Sequence, residues 1–185
     1  MKCIPVILSF LALVQINAQD IWKSDSAHSK VGFAITHLMI SEVEGHFGDF
    51  EITAQADKDF DEPDFTVEIR AESIDTNNEG RDKHLRSPDF FEVGKFPAIT
   101  FKTTTFEKTG DKTFKLIGDL TMHGVTKTIS LEGRLNGIIT QNNQKLKAGL
   151  KLIGTVNRLD FGVGGETPSL GDEVELSINL ELVQQ

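Results

Sequence analysis

Apolar and polar side chains alternate along this chain with a period of two. Near the C-terminus Val174, Leu176, Ile178, Leu180 and Leu182 alternate with Glu173, Glu175, Ser177, Asn179 and Glu181. An extended strand with that pattern has one hydrocarbon face and one wet face. The pattern recurs at Val31, Phe33 and Ile35, and at Phe65, Val67, Ile69 and Ala71. It returns at Phe114, Leu116 and Leu120, at Ile129, Leu131 and Leu135, and at Leu146, Ala148, Leu150 and Leu152. Turn signals separate the runs, among them Thr109-Gly110-Asp111, His123-Gly124 and Gln141-Asn142-Asn143. Pro63, Pro88, Pro97 and Pro168 fall at strand edges or in loops. The pattern predicts about eight strands joined mostly by short connections, as in a sandwich or a barrel. No strand–helix–strand spacing appears, which argues against a parallel sheet. One-sided alternation in nearly every run favours an all-β, eight-stranded antiparallel barrel around an apolar interior. A barrel of that size is either filled by its own side chains or holds one small ligand.

One segment breaks the alternation. Residues 73–92 carry helix and loop chemistry: the charged cluster Arg81-Asp82-Lys83-His84 runs through Leu85 into Phe90-Phe91. Thr76 or Asn77 is positioned to cap a short helix from Asn78 to Leu85, ended by Ser87-Pro88. Two turns of helix are marginal alone, so the segment must dock. Leu85, Phe90 and Phe91 are its apolar anchors. Residues 77–92 are therefore expected over one side or the mouth of the barrel. Phe96-Pro97 then returns the chain to a strand from Ala98 to Phe106.

Composition narrows the interior. The chain has 13 Phe, no Tyr and one Trp. Phe33, Phe47, Phe65, Phe101 and Phe114 are predicted to point inward, beside Ile35, Val67, Ile69, Leu116 and Leu120. A lining without phenol hydroxyls suits an apolar ligand; for any single Phe, filling a core is the commoner role. Met1-Lys2, the apolar run Ile4 to Val14 and the ending Gln15-Ile16-Asn17-Ala18 read as a secretory signal peptide, residues 1–18, leaving residues 19–185 as one domain. Cys3 is the only cysteine and leaves with the signal, so no disulfide is expected. The product is expected outside the cytoplasm, periplasmic or secreted, with no stable membrane insertion. The formal charge of -9 becomes more negative when Lys2 is lost. That argues against nucleic acid and against an anionic membrane face. His28, His37, His46, His84 and His123 show no metal-ligand spacing, and no metal site is expected. Asp59 and Asp61 read as a solvated acidic loop. Gly162-Val163-Gly164-Gly165 lacks the context of a phosphate cradle and reads as a flexible loop before the last strand.

A set of short motifs, in order, resembles the YceI-like family of exported bacterial proteins described as polyisoprenoid-binding. They include Trp22-Lys23-Ser24-Asp25, His28-Ser29, Val31-Gly32-Phe33, His37 and Val43-Glu44-Gly45 with Phe47. Ser73-Ile74-Asp75-Thr76, Arg81-Asp82-Lys83-His84-Leu85, Asp89-Phe90-Phe91, Phe96-Pro97 and Ile99-Thr100-Phe101 follow. Gly118-Asp119-Leu120-Thr121, His123-Gly124-Val125-Thr126-Lys127 and Arg158-Leu159-Asp160-Phe161-Gly162 complete the series; Asn157 departs slightly from the pattern. Each motif is weak alone; their order and spacing over nearly the whole mature chain are specific. The resemblance implies a lipocalin-like barrel with a helix over its side. It also implies a long isoprenoid chain in the interior, as a polyprenyl phosphate or an isoprenoid quinone, with no catalytic cofactor. A homodimer stays open. At the mouth, Arg81, His84 and Arg158 are candidates for a phosphate, and His37 for a quinone carbonyl. The competing and stronger reading pairs Arg81 with Asp82 and Arg158 with Asp160 as structural pins. Two other functions compete with the lipid carrier. One is an enzyme using His37, His84 or Asp82. The other is a stress-related interaction module with a packed core.

Overall fold

In the computed structural model, which describes residues 19–185, the alternating runs form one continuous antiparallel sheet. The expected signal peptide, residues 1–18, lies outside the described residues. The strands are β1 (Asp20–Ser24), β2 (Lys30–His37), β3 (Ser41–Phe47), β4 (Phe50–Ala56), β5 (Asp64–Arg70) and β6 (Ile74–Asp75). After a short helix, α1 (Glu79–Leu85), come β7 (Ala98–Lys108), β8 (Thr113–Met122), β9 (Val125–Thr140), β10 (Leu146–Asn157) and β11 (Leu170–Gln184).

Pairing shows which segments are pieces of one ribbon. β1 pairs with β4 and β2 with β3, so β1–β2 and β3–β4 are two long antiparallel ribbons, each interrupted once. β5 pairs with β4 and β6 with β3, across a single 3-10 turn at Ala71–Ser73. β7 to β11 continue as an up-and-down meander, and β11 closes the ring on β2 and β1. The result is a closed barrel of 8 antiparallel ribbons, as the alternation predicts. Closure leaves no exposed edge along its circumference except at one end, where β6 and β7 part. Register follows the alternation: Leu116 sits opposite Leu131, Leu150 opposite Leu180, and Phe33 opposite Leu176. A slip of one residue would turn each inward face to solvent.

The two ends differ. At the base the interior is packed solid. Trp22, Ala54, Ala56, Ala148 and Leu182 are fully buried. The Trp22 indole N–H donates to the Ala56 carbonyl at 3.3 Å, and its ring meets Phe60 edge-on at 5.1 Å. Phe114 stacks on Phe106 at 5.2 Å and lies over Gly133, where a Cβ would fall 2.0 Å from the Phe114 ring. Small residues at Ala54, Ala56, Ala148 and Gly133 therefore let large rings fill the closed end.

At the opposite end β6 pairs only with β3, and β7 leaves β5 at Ala98, opposite Arg70. Residues 76–97 occupy the gap. The Asn78 side chain caps α1, accepting from the Arg81 N–H at 2.9 Å. The cap falls one residue beyond the expected Asn77 and two beyond Thr76, because Asn77 adopts a left-handed conformation with φ 58° and Thr76 is engaged elsewhere. Phe91 packs edge-on against Phe47 at 6.0 Å.

Candidate ligand-binding site

Between the packed base and the inserted segment the barrel is hollow. A cavity of about 550 Å³ occupies this half of the interior, within the range typical of small-molecule sites. Its wall is built by the inward positions of the strands, which is why it is almost entirely hydrocarbon. Phe33 and Ile35 enter from β2, and Phe47 from β3. Phe65, Val67 and Ile69 enter from β5, Phe101 from β7, and Leu116 and Leu120 from β8. Leu85, Phe90 and Phe91 reach it from the inserted segment. Phe114, the remaining aromatic expected in the lining, lies outside the cavity in the packed base. It points inward as the alternation requires, but the period of two sets the face and not the depth.

Other lining residues were not singled out by sequence reasoning. Ile99 of β7, Leu131 of β9, and Leu152 and Val156 of β10 share the same alternation and were legible from it. Val163, Thr167 and Ser169, from the stretch before β11, carry no periodic signal.

The four polar candidates His37, Arg81, His84 and Arg158 all line the cavity, and their hydrogen bonds separate them. Arg158 is buried and makes four hydrogen bonds: to the Gly171, Val163 and Gly165 carbonyls and to the Asp172 carboxylate, at 2.8–3.1 Å. Its ion-pair partner is Asp172 and not the expected Asp160, because β11 begins at Leu170 and carries Asp172 back across the guanidinium. The same bonds tie down the Gly162–Gly165 run, so that loop is held at both of its carbonyl contacts. Gly164, with φ 71°, lets Phe90 approach: a Cβ there would sit 2.7 Å from the ring. His84 is occupied by Asp89 at 3.1 Å and meets Phe90 edge-on.

Arg81 does not pair with Asp82 as expected. Its Nε donates to Thr76 Oγ1 at 2.7 Å and its Nη2 to the Thr76 carbonyl at 2.7 Å. Asp82 is buried and instead accepts from the Thr76 N–H at 2.9 Å and hydroxyl at 2.5 Å. Thr76 is thus the shared partner, its hydroxyl both donating and accepting. Neither the Arg81 Nη1 nor the His37 ring finds a hydrogen-bond partner among the described residues. Those two groups and the second ring nitrogen of His84 keep hydrogen-bonding capacity beside a mostly hydrocarbon lining. None of the described Ser or Thr hydroxyls in the lining is hydrogen-bonded to a histidine.

A second cluster lies away from the cavity. Asp25, His28 and Glu181 bring ligand-type atoms within 4.8 Å of one another. The Lys147 ammonium already sits among them, 3.0 Å from Asp25 and 2.8 Å from Glu181. Hydrogen bonds from Lys147 and then His28 hold the Asp25 carboxyl below the ordinary 3.8. Bonds to Glu181 and then Asp25 raise Lys147 above the ordinary 10.5. The Lys147 ammonium thus already supplies a counter-charge to both carboxylates of this cluster.

With this geometry in place, comparison with known proteins is specific. The YceI-like domain model matches residues 22–182. Protein YceI of Salmonella newport (strain SL254) is 39% identical over 162 residues, covering 87% of this chain and 84% of the relative. A crystal structure of the Campylobacter jejuni YCEI protein superposes with a TM-score of 0.76 at 36% identity, covering 87% of this chain and 96% of that one. A polyisoprenoid binding domain from Saccharophagus degradans superposes with a TM-score of 0.64, covering 89% of this chain and 98% of that one. At 14% identity, that last likeness shows the shared fold.

Proposed function

This chain belongs to the YceI-like domain family, and from that premise we propose that it is a binding protein for a long-chain isoprenoid lipid. The ligand is a polyprenyl phosphate or an isoprenoid quinone, carried or stored outside the cytoplasm once residues 1–18 are removed. The observation that carries the reading is the hollow half of the barrel: about 550 Å³ enclosed almost wholly by hydrocarbon, in a protein whose other half is tightly packed. Each CH₂ moved from water into such a lining contributes about 0.8 kcal/mol, offset in part by the entropy of ordering a flexible chain. The polyisoprenoid-binding description of the Saccharophagus degradans neighbour is in keeping with it.

The polar groups refine the reading. Arg158 is committed to protein partners and His84 is engaged by Asp89 through one ring nitrogen, so Arg81 and His37 are the leading head-group candidates. Arg81 supplies a fixed positive charge for a phosphate oxygen, and His37 supplies a hydrogen bond to a carbonyl. The test is to purify the exported protein without detergent, extract it with organic solvent and analyse the extract by mass spectrometry. An isoprenoid lipid in near-stoichiometric amount is expected. A stoichiometric lipid of another class, or a preparation with no lipid that also fails to take up farnesol, overturns the proposal.

A further inference from the structure

The tip of the hairpin between β2 and β3 exposes three consecutive apolar side chains. Leu38 is 52% exposed, Met39 81% and Ile40 85%. The turn itself does not call for them. His37 pairs with Ser41, so the loop holds three residues; the Ile40 N–H donates to the His37 carbonyl at 3.2 Å across Leu38 and Met39, both left-handed with φ 52° and 61°. Left-handed positions favour Gly and Asn, and left-handed Leu and Met are strained. The shorter turn between β8 and β9, where Met122 pairs with Val125, also has two left-handed residues and uses the more compatible pair His123-Gly124. The tip thus carries both backbone strain and exposed hydrocarbon, and both would be relieved by ordinary turn residues.

Its position gives it a use. His37, the residue before the tip, lines the cavity, as do Val43 across the hairpin and Ser169 and Leu170 beside it. The Leu38 N–H is bonded to the Ser169 carbonyl at 2.8 Å, which fixes the tip to this rim. We propose that Leu38, Met39 and Ile40 insert into the surface of a phospholipid bilayer and so place the cavity rim against the membrane. The inference rests on reading the cavity as a lipid site and names the phase that the lipid enters from. A second copy of the chain is a poorer occupant. Three side chains offer on the order of 400 Å², against about 800 Å² per partner in a stable interface. The driving force is apolar: the tip has no cation, Glu42 follows it, and the whole chain is at -9.

The test is flotation with vesicles of phosphatidylcholine alone. It compares the wild-type chain with a variant carrying Leu38→Asn, Met39→Gly and Ile40→Thr. Farnesol uptake is measured separately in vesicle-free solution. The variant installs favourable turn residues, so its thermal midpoint is expected to equal or exceed that of the wild type. Wild-type protein floats, and about 0.5 M salt does not release it, because the contact is not electrostatic. Flotation of the variant falls at least tenfold while farnesol affinity stays within twofold. Wild-type protein that does not float overturns the docking proposal, as does a variant that floats equally well. So does a concentration-dependent dimer that the variant abolishes. If farnesol binds neither protein, the cavity reading fails, and flotation still decides the docking independently.

Discussion

Arg81 and Arg158 face the same cavity with the same charge, yet their hydrogen bonds assign them different roles. Arg158 is buried with three carbonyls and Asp172 around it, and it holds the stretch before β11 in place. Arg81 keeps one guanidinium nitrogen without a protein partner and lies on the exposed helix α1. A charge-assisted hydrogen bond contributes about 1.5–3 kcal/mol, which is roughly tenfold or more in affinity. Arg81→Gln is therefore expected to weaken farnesyl phosphate binding by about tenfold and farnesol binding by less than twofold, read by calorimetric titration. Equal losses for both ligands would place Arg81 in lid structure alone. The Asp25–Lys147–Glu181 cluster is a residue-scale feature with a pH signature instead. Asp25 is lowered on folding, so its contribution is present above about 3.8 and lost as pH falls through its lower folded value. Lys147 is raised, so its contribution holds below about 10.5 and is lost as pH rises through its higher folded value. Lys147→Met is expected to leave chemical-denaturation midpoints less pH-dependent at both extremes. An unchanged pH profile would remove the cluster from the account.

At the scale of elements, the inserted segment depends on one buried carboxylate. Asp82 accepts two hydrogen bonds from Thr76, and Thr76 in turn holds Arg81. Asp82→Ala leaves a buried N–H and hydroxyl unsatisfied, at a cost of about 1–3 kcal/mol. Local unfolding is the expected outcome: the Phe91 and Val93 amides, bonded to the Leu85 and Arg86 carbonyls, should lose at least tenfold of their protection against hydrogen exchange. The amides of β10 should keep theirs. A uniform loss across the sheet would show that the segment is not a separate cooperative unit. This segment was legible in the sequence as a break in alternation, and Leu85, Phe90 and Phe91 were legible as its anchors. Its hydrogen bonds were not, because Arg81 and Asp82 are adjacent in sequence, while the backbone at Thr76 decides which of them meets it. The strands were legible wherever one face is wet. The interruptions at Asp25–Ser29 and Gly48-Asp49 carry polar and turn residues, but nothing in them shows that the strands on either side continue one ribbon. The turn at Leu38–Met39 was missed for the opposite reason: its residues suit neither a turn nor solvent.

The whole molecule combines two kinds of interior in one barrel. Ala54, Ala56 and Ala148 leave no space around Trp22 at the base, whereas large residues further along enclose an open cavity. Strand alternation cannot distinguish the two, because inward residues are apolar in both. The sizes of those residues, taken across neighbouring strands, do distinguish them. Filling each region should therefore have different consequences. Ala148 is fully buried in the packed half, so Ala148→Leu forces extra volume into a closed site and should cost about 1–3 kcal/mol. Leu116 is also buried but borders the cavity, so the ring of Leu116→Trp has empty space to enter. That variant should keep its stability to within about 1 kcal/mol and lose farnesol affinity by more than tenfold. If Leu116→Trp is destabilised as much as Ala148→Leu, the interior is packed throughout and a barrel without a ligand becomes the better account. If it is stable and still binds farnesol normally, the ligand lies elsewhere. Stability measured by denaturant midpoint and affinity measured by titration together locate the hollow half and test whether it is the binding site.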